Sequence, residues 1–139
     1  MPEYPSFLHR WFDEVWNQKR EEAIDEMMAE DVVVHGLGPE PIVGRENFKP
    51  FFRSFSSAFP DIQVTVEDVL TDGDKMSCRC TVRGTHTGEG LGFAPTNQRV
   101  EFTGGGMCIV ENGRFKEIWN EFDFMKMNTQ MGILSLNTN

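Results

Sequence analysis

Between Lys75 and His86 the chain alternates with a period of two. Met76, Cys78, Cys80, Val82, Gly84 and His86 fall on one face, and Lys75, Ser77, Arg79, Thr81, Arg83 and Thr85 on the other. Successive side chains of a strand point to opposite faces, so this pattern predicts a strand with one face on a core and one in water. A strand of this length needs partners, and the flanking sequence supplies them. Ile62, Val64 and Val66 alternate with Gln63, Thr65 and Glu67 ahead of the turn dipeptide Asp72-Gly73. After a Gly- and Pro-rich loop from Thr87 to Asn97, Val100 and Phe102 open a further strand that Met107 to Val110 continues. Gly104-Gly105-Gly106 interrupts that strand and predicts a bulge, a sharp bend or the close approach of another backbone. Asn112-Gly113 is a hairpin signal, and Phe115 to Asp123 closes the series.

The first sixty residues follow a different period. Tyr4, Phe7, Leu8, Trp11, Phe12, Val15 and Trp16 recur at three-and-four spacing, which predicts an amphipathic helix with Pro5 in its first turn and a break at Asn17-Gln18. A short second helix presents Ala23, Ile24, Met27 and Met28. Asp31 to His35 is β-branched and short, a strand, and Gly36 to Gly44 is a loop. From Arg45 the apolar residues Phe48, Phe51, Phe52, Phe55, Ala58 and Phe59 predict a third helix, kinked by Pro50 and ended by Pro60. Met125 to Leu134 reads as a terminal helix, with residues 1–4 and 135–139 as flexible ends of a single domain spanning 1–139. Helices first and hairpin-linked strands after predict an α+β fold, helices packed on one face of a curved mixed or antiparallel sheet. Such a cone encloses an apolar pocket.

Charge narrows the partners. Thirteen Lys and Arg against 22 Asp and Glu give a net charge of -9, with no basic run, which argues against nucleic acid and anionic membrane. The 39% hydrophobic share is that of a globular chain, and no stretch approaches the roughly 20 apolar residues of a membrane span. No charged N-terminal region precedes an apolar run, so the expectation is a soluble cytoplasmic protein. Cys78, Cys80 and Cys108 lack zinc spacing and read as reduced core thiols; no metal or cofactor is expected.

Chemistry would come from polar side chains that share parity with inward apolar neighbours. His86 continues the apolar face of its strand, and His35 ends the short strand just before Gly36. An imidazole at a pocket mouth suits general acid–base work, so these two are the candidate catalytic residues, each with a structural alternative as a hydrogen-bonded rim histidine. On the last strand Lys116, Ile118, Asn120 and Phe122 share one face and Phe115, Glu117, Trp119 and Glu121 the other. Carboxylates prefer water, which places Asn120 inward. Its amide both donates and accepts, and it would hold a substrate carbonyl or hydroxyl or satisfy a buried backbone group. Trp16, Phe52, Phe102 and Phe122 complete the candidate binding wall.

Several stretches together resemble the SnoaL-like polyketide cyclase family. They are Phe12-Asp13-Glu14-Val15-Trp16-Asn17, Asp31 to His35, Gly44-Arg45-Glu46-Asn47-Phe48 with Ala58-Phe59-Pro60-Asp61, Gly84-Thr85-His86-Thr87-Gly88, Arg99 to Gly104, and Glu111-Asn112-Gly113-Arg114-Phe115 followed by Trp119. The resemblance covers roughly residues 5 to 134. It implies a cone of the nuclear transport factor 2-like superfamily, usually a homodimer. It also implies cofactor-free chemistry, in the true cyclases an intramolecular aldol condensation. The family pattern carries a histidine on the next-to-last strand and an aspartate after the tryptophan of the last. Those positions fall here at about Gly106 and at Asn120, neither of which can exchange a proton near neutral pH. Two functions stay open: a cofactor-free cyclase, isomerase or lyase acting on a small, oxygenated, apolar substrate of polyketide type, and a non-catalytic small-molecule binding protein of the same fold.

Overall fold

The computed structural model describes residues 3–133. The first helix, α1 (Phe7–Trp11), begins later than the spacing predicts. The Ser6 hydroxyl accepts from the His9 backbone N–H at 3.2 Å and caps the helix, which leaves Pro5 outside it. From Phe12 to Asn17 the same helix widens into a π-helical turn, closed by the Gln18 N–H on the Asp13 carbonyl at 2.8 Å. The wider turn buries Phe12, Val15 and Trp16 together and delivers Asn17 to the sheet. There the Asn17 side chain donates to the Val64 carbonyl at 3.0 Å and accepts the Val64 N–H at 2.7 Å.

The second helix, α2 (Glu22–Met27), leads directly into β1 (Met28–His35), three residues longer at its start than the β-branched run suggests. The expected loop contains a two-residue strand, β2 (Ile42–Val43), which pairs back on β1. In α3 (Arg45–Ala58), Phe48, Phe52, Phe55 and Ala58 form the buried stripe. Pro50 does not break this helix. It lies on the exposed side, where water can reach the Glu46 carbonyl that Pro50 leaves without a donor.

The long strands are β3 (Gln63–Asp72), β4 (Lys75–Thr85), β5 (Arg99–Glu111) and β6 (Arg114–Phe122), followed by α4 (Phe124–Gln130). The sheet order is β2-β1-β6-β5-β4-β3, with β1 and β6 parallel and every other pair antiparallel. The mixed, curved sheet and its helices are the expected α+β architecture. The expected terminal helix ends four residues early, and its last residue, like the tail 135–139 and residues 1–2, lies outside the described residues.

Two local irregularities shape the sheet. At Gly104-Gly105-Gly106 neighbouring chain comes so close that side chains are excluded. A Cβ on Gly105 would run into the Cys78 carbonyl oxygen, one on Gly106 into that of Trp119, and one on Gly104 into the Phe122 ring. The glycines therefore mark where the sheet folds over. On β6, Val110 pairs with Phe115 but Ile109 with Glu117, so Lys116 is an extra residue. This bulge resets the alternation: Phe115 is buried, and beyond it Ile118, Asn120 and Phe122 still turn inward. Strict parity across the strand, as read from the sequence, put Phe115 on the opposite face.

Candidate functional site

The concave side of the sheet and the helices enclose an open-mouthed cavity with about 90 Å³ of space for the centre of a water-sized sphere. Clefts lined in this way, mostly apolar with few polar groups, are common small-molecule sites. Trp11, Phe12 and Trp16 of the first helix and Phe48, Phe51 and Phe55 of α3 form one wall. Val82, Phe102, Ile118 and Phe122 of the sheet form the other, with Phe124 of α4 beside them. Trp16 lies at the centre of the aromatic wall, its ring 5.3 to 6.5 Å from those of Phe48, Phe51, Phe52 and Phe55. These aromatic side chains come from separate stretches, and only the closure of helices over the sheet gathers them.

Among the described residues no Asp, Glu, His, Lys or Arg lines this cavity; its polar side chains are the Asn120 amide, the thiols of Cys78 and Cys108, and the tryptophan indoles. Asn120 Nδ2 donates to the His35 carbonyl at 3.0 Å. That bond fixes the amide, since the reverse orientation would set two oxygens against each other, and leaves Oδ1 and one N–H for a ligand. Gly36, with φ +88°, lets the chain pass beside β6, where a Cβ would collide with the Asn120 carbonyl. Gly106 and Asn120, the positions that the resemblance matches to the acid–base pair, are direct register partners and both line the cavity.

Of the candidate binding residues, Trp16, Phe102, Asn120 and Phe122 line the cavity, whereas Phe52 packs behind Trp16. The two candidate catalytic histidines do not line it. His35 pairs through Nε2 with Glu117 Oε2 at 2.7 Å and stacks on Trp119, ring centroids 5.4 Å apart. It has the carboxylate partner that a general base needs, but the pleat of β6 sends Glu117 away from Asn120 and the cavity.

His86 is fully buried. Its Nδ1 accepts the Thr96 N–H at 3.1 Å and lies 2.9 Å from Thr96 Oγ1, so the ring proton sits on Nε2, which has no partner. The ring lies between Phe59 and Phe93, and burial pushes its pKa down. In this setting His86 clamps the loop between β4 and β5. The parity argument placed it inward correctly, but the interior it meets there is packed loop.

The sequence reading did not single out Cys78 and Cys108 as cavity residues, although Cys78 shares the apolar face of β4. The Cys78 thiol is held below its ordinary value because the Cys80 thiol donates to it; burial opposes this and the Gly106 N–H assists it. Burial pushes Cys108 up to about 12. Among the described residues no three His, Cys, Asp or Glu side chains converge as a metal site would need, and no helix is long and apolar enough to cross a membrane.

A bent six-stranded mixed sheet closed by N-terminal helices over an apolar cavity is the cone of the nuclear transport factor 2 and ketosteroid isomerase class. The family model for SnoaL-like polyketide cyclases matches residues 7–131, and the chain belongs to that family. Solved structures agree in fold. A proposed SnoaL-like polyketide cyclase from Jannaschia sp. CCS1 has a TM-score of 0.84 and 21% identity over 97% of this chain and 99% of its own. IdmH, a proposed polyketide cyclase from Streptomyces antibioticus, has 31% identity and a TM-score of 0.77 over 91% of this chain and 96% of its own. A Catenulispora acidiphila protein of ketosteroid isomerase-like fold, crystallised with trimethylamine, has 14% identity and a TM-score of 0.77 over 99% of this chain and all of its own. No curated protein matches the chain.

Proposed function

We propose that this protein binds a small, apolar, oxygenated molecule of polyketide type in the cavity, with Asn120 as its polar anchor. The observation that carries this is the lining itself: mostly aromatic and aliphatic, with one amide fixed by the His35 carbonyl and, among the described residues, no ionisable group beyond the two thiols. A wall of this kind takes up an aromatic or polyene body by burying it. The amide sets its orientation through one hydroxyl or carbonyl. Membership of the cyclase family supports a second reading, cofactor-free cyclisation, isomerisation or lyase chemistry on the same class of molecule. Against that reading, the resemblance sets the positions of the family's usual acid–base pair at about Gly106 and at Asn120, neither of which exchanges a proton near neutral pH.

The test uses 1,8-dihydroxyanthraquinone, a hydroxylated aromatic of polyketide type, and anthracene, which has the same ring frame without oxygen. Both are titrated against the fluorescence of the cavity tryptophans. Asn120→Leu is expected to weaken the hydroxylated ligand by about two- to twelvefold, the loss of one hydrogen bond of about 0.5–1.5 kcal/mol, and to leave anthracene unchanged. Equal losses for both ligands would refute Asn120 as an anchor, and failure of both to quench would refute the cavity reading. We also propose a homodimer, supported by the exposed Met107 and Val43 on strands of the sheet; sedimentation at several concentrations would reveal a lone monomer if this is wrong.

A further inference from the structure

Cys78 on β4, Gly106 on β5 and Asn120 on β6 are successive register partners, so they form one row across three neighbouring strands. All three line the cavity. The middle member has no side chain, and the Trp119 carbonyl closes the place of its Cβ, so no side chain stands between the thiol and the amide. The two are two strand spacings or ~9.6 Å apart at the backbone. The amide has already committed one N–H to the His35 carbonyl, which leaves its second N–H for a ligand.

We propose that this row of the cavity wall captures an α,β-unsaturated carbonyl compound covalently, with Cys78 as the nucleophile and Asn120 holding the carbonyl oxygen. The proposal rests on the cavity being a ligand site, as argued above. In the addition, the Cys78 sulfur bonds to the β-carbon and the carbon–carbon π bond breaks. The electron pair moves to the carbonyl oxygen as an enolate, which the Asn120 N–H stabilises. The proton released by the thiol ends on the α-carbon. The product is a thioether, nothing is oxidised or reduced, and reversal returns the thiol and the enone.

The neighbouring groups favour this sulfur over the others. Cys80 Sγ lies 3.8 Å away and donates to Cys78 Sγ, and the Gly106 N–H adds to the stabilisation of negative charge on it. Cys80 itself is fully buried, and its thiol is pushed up because it gives its hydrogen to Cys78. Cys108 is buried too and is pushed up to about 12 by that burial. Among the three thiols, access and acidity coincide at one. Sequence alone cannot distinguish them, because Cys78 and Cys80 share parity; the register of Cys78 with Gly106 and Asn120 does.

The probe is N-ethylmaleimide, itself an α,β-unsaturated carbonyl compound, added to the native full chain at pH 8 with adducts mapped by peptide mass spectrometry. The Cys78 thiol is held below its ordinary value and burial pushes that of Cys108 up to about 12, so Cys78 carries more thiolate at pH 8. The lower nucleophilicity of the more acidic thiolate takes back only part of this, so Cys78 is expected to react at least about tenfold faster. Asn120→Leu should slow the maleimide by about tenfold while leaving iodoacetamide, which alkylates without forming an enolate, unchanged. Modification of Cys108 at a rate equal to or above that of Cys78, or an equal effect of Asn120→Leu on both reagents, would overturn the proposal. Quenching by 1,8-dihydroxyanthraquinone without selective Cys78 labelling overturns the covalent site and leaves the binding reading standing. Selective labelling without quenching supports the nucleophile and counts against the hydroxylated-aromatic reading.

Discussion

Asn17→Ala isolates the contact that fastens the helical layer to the sheet. β3 is an edge strand, and the backbone of Val64 faces away from β4 at this point, toward Asn17. The Asn17 amide takes the place of a missing strand, one bond at 3.0 Å and one at 2.7 Å. Truncation removes both at once and leaves a donor and an acceptor beside a side chain that is 8% exposed. Each hydrogen bond is worth about 0.5–1.5 kcal/mol net, and each group left unpaired where water is scarce costs about 1–3 kcal/mol. The two unpaired groups set the expected loss at about 2–6 kcal/mol. At roughly 2.1 cal/mol/K of unfolding entropy per residue, the whole chain carries about 0.29 kcal/mol/K, so Tm should fall by about 7–21 °C. Urea unfolding followed by circular dichroism measures the free energy, and a thermal scan measures Tm. Asn17→Asp keeps the acceptor for the Val64 N–H but sets an oxygen against the Val64 carbonyl, and should recover about half. A loss below about 0.5 kcal/mol in Asn17→Ala, or full stability in Asn17→Asp, would refute the idea that this amide closes the sheet edge.

Three further outcomes are expected. Gly106→Ala forces a Cβ onto the Trp119 carbonyl and should cost at least about 2 kcal/mol in urea unfolding, whereas Gly38→Ala, with open space around it, should change stability little; equal effects would remove the steric account of the bend. His86 is buried with its pKa below the ordinary 6.5, so the unfolded chain binds a proton in a range where the folded chain does not. Stability is then intact above about pH 6.5 and falls as the pH drops below it, until the folded imidazole also protonates. His86→Asn should flatten the Tm profile between about pH 6.5 and 5, and an unchanged slope would sink this reading. His35→Ala breaks a half-exposed pair with Glu117 and should cost about 0.5 kcal/mol, with Kd for 1,8-dihydroxyanthraquinone within about twofold of wild type; a larger loss of affinity would bring His35 back into the site.

Much of the architecture follows from patterns that are local in the chain. The period-two run from Lys75 to Thr85 is β4, and its apolar face is the buried one; His86 continues the alternation one residue past its end. The triple glycine marks a bend because only glycine tolerates the approach of the Cys78 and Trp119 carbonyls. The candidate site was legible only in part. Trp16, Phe102, Asn120 and Phe122 reach the cavity, but so do Phe51, Phe124 and Cys78, whose places depend on how α3, α4 and β4 meet. The π-helical turn and the Lys116 bulge each insert one residue into a regular repeat, and no composition rule announces either.

The two histidines show where sequence and tertiary structure divide. Sequence by itself determined that His86 would sit on the apolar face of its strand, because alternation is a property of the backbone. Whether that face meets a cavity or a packed loop depends on what covers it, and here Phe59, Phe93 and Thr96 do. Likewise the chain's own letters set the α+β order, the acidic surface and the amide at position 120. Only the tertiary structure decided that Asn120 is anchored by the His35 carbonyl, that His35 turns to Glu117 on the other side, and that Gly106 sets Asn120 and Cys78 in one row of the sheet. These are relations between strands that are distant in sequence, and register, which has no local code, fixes them.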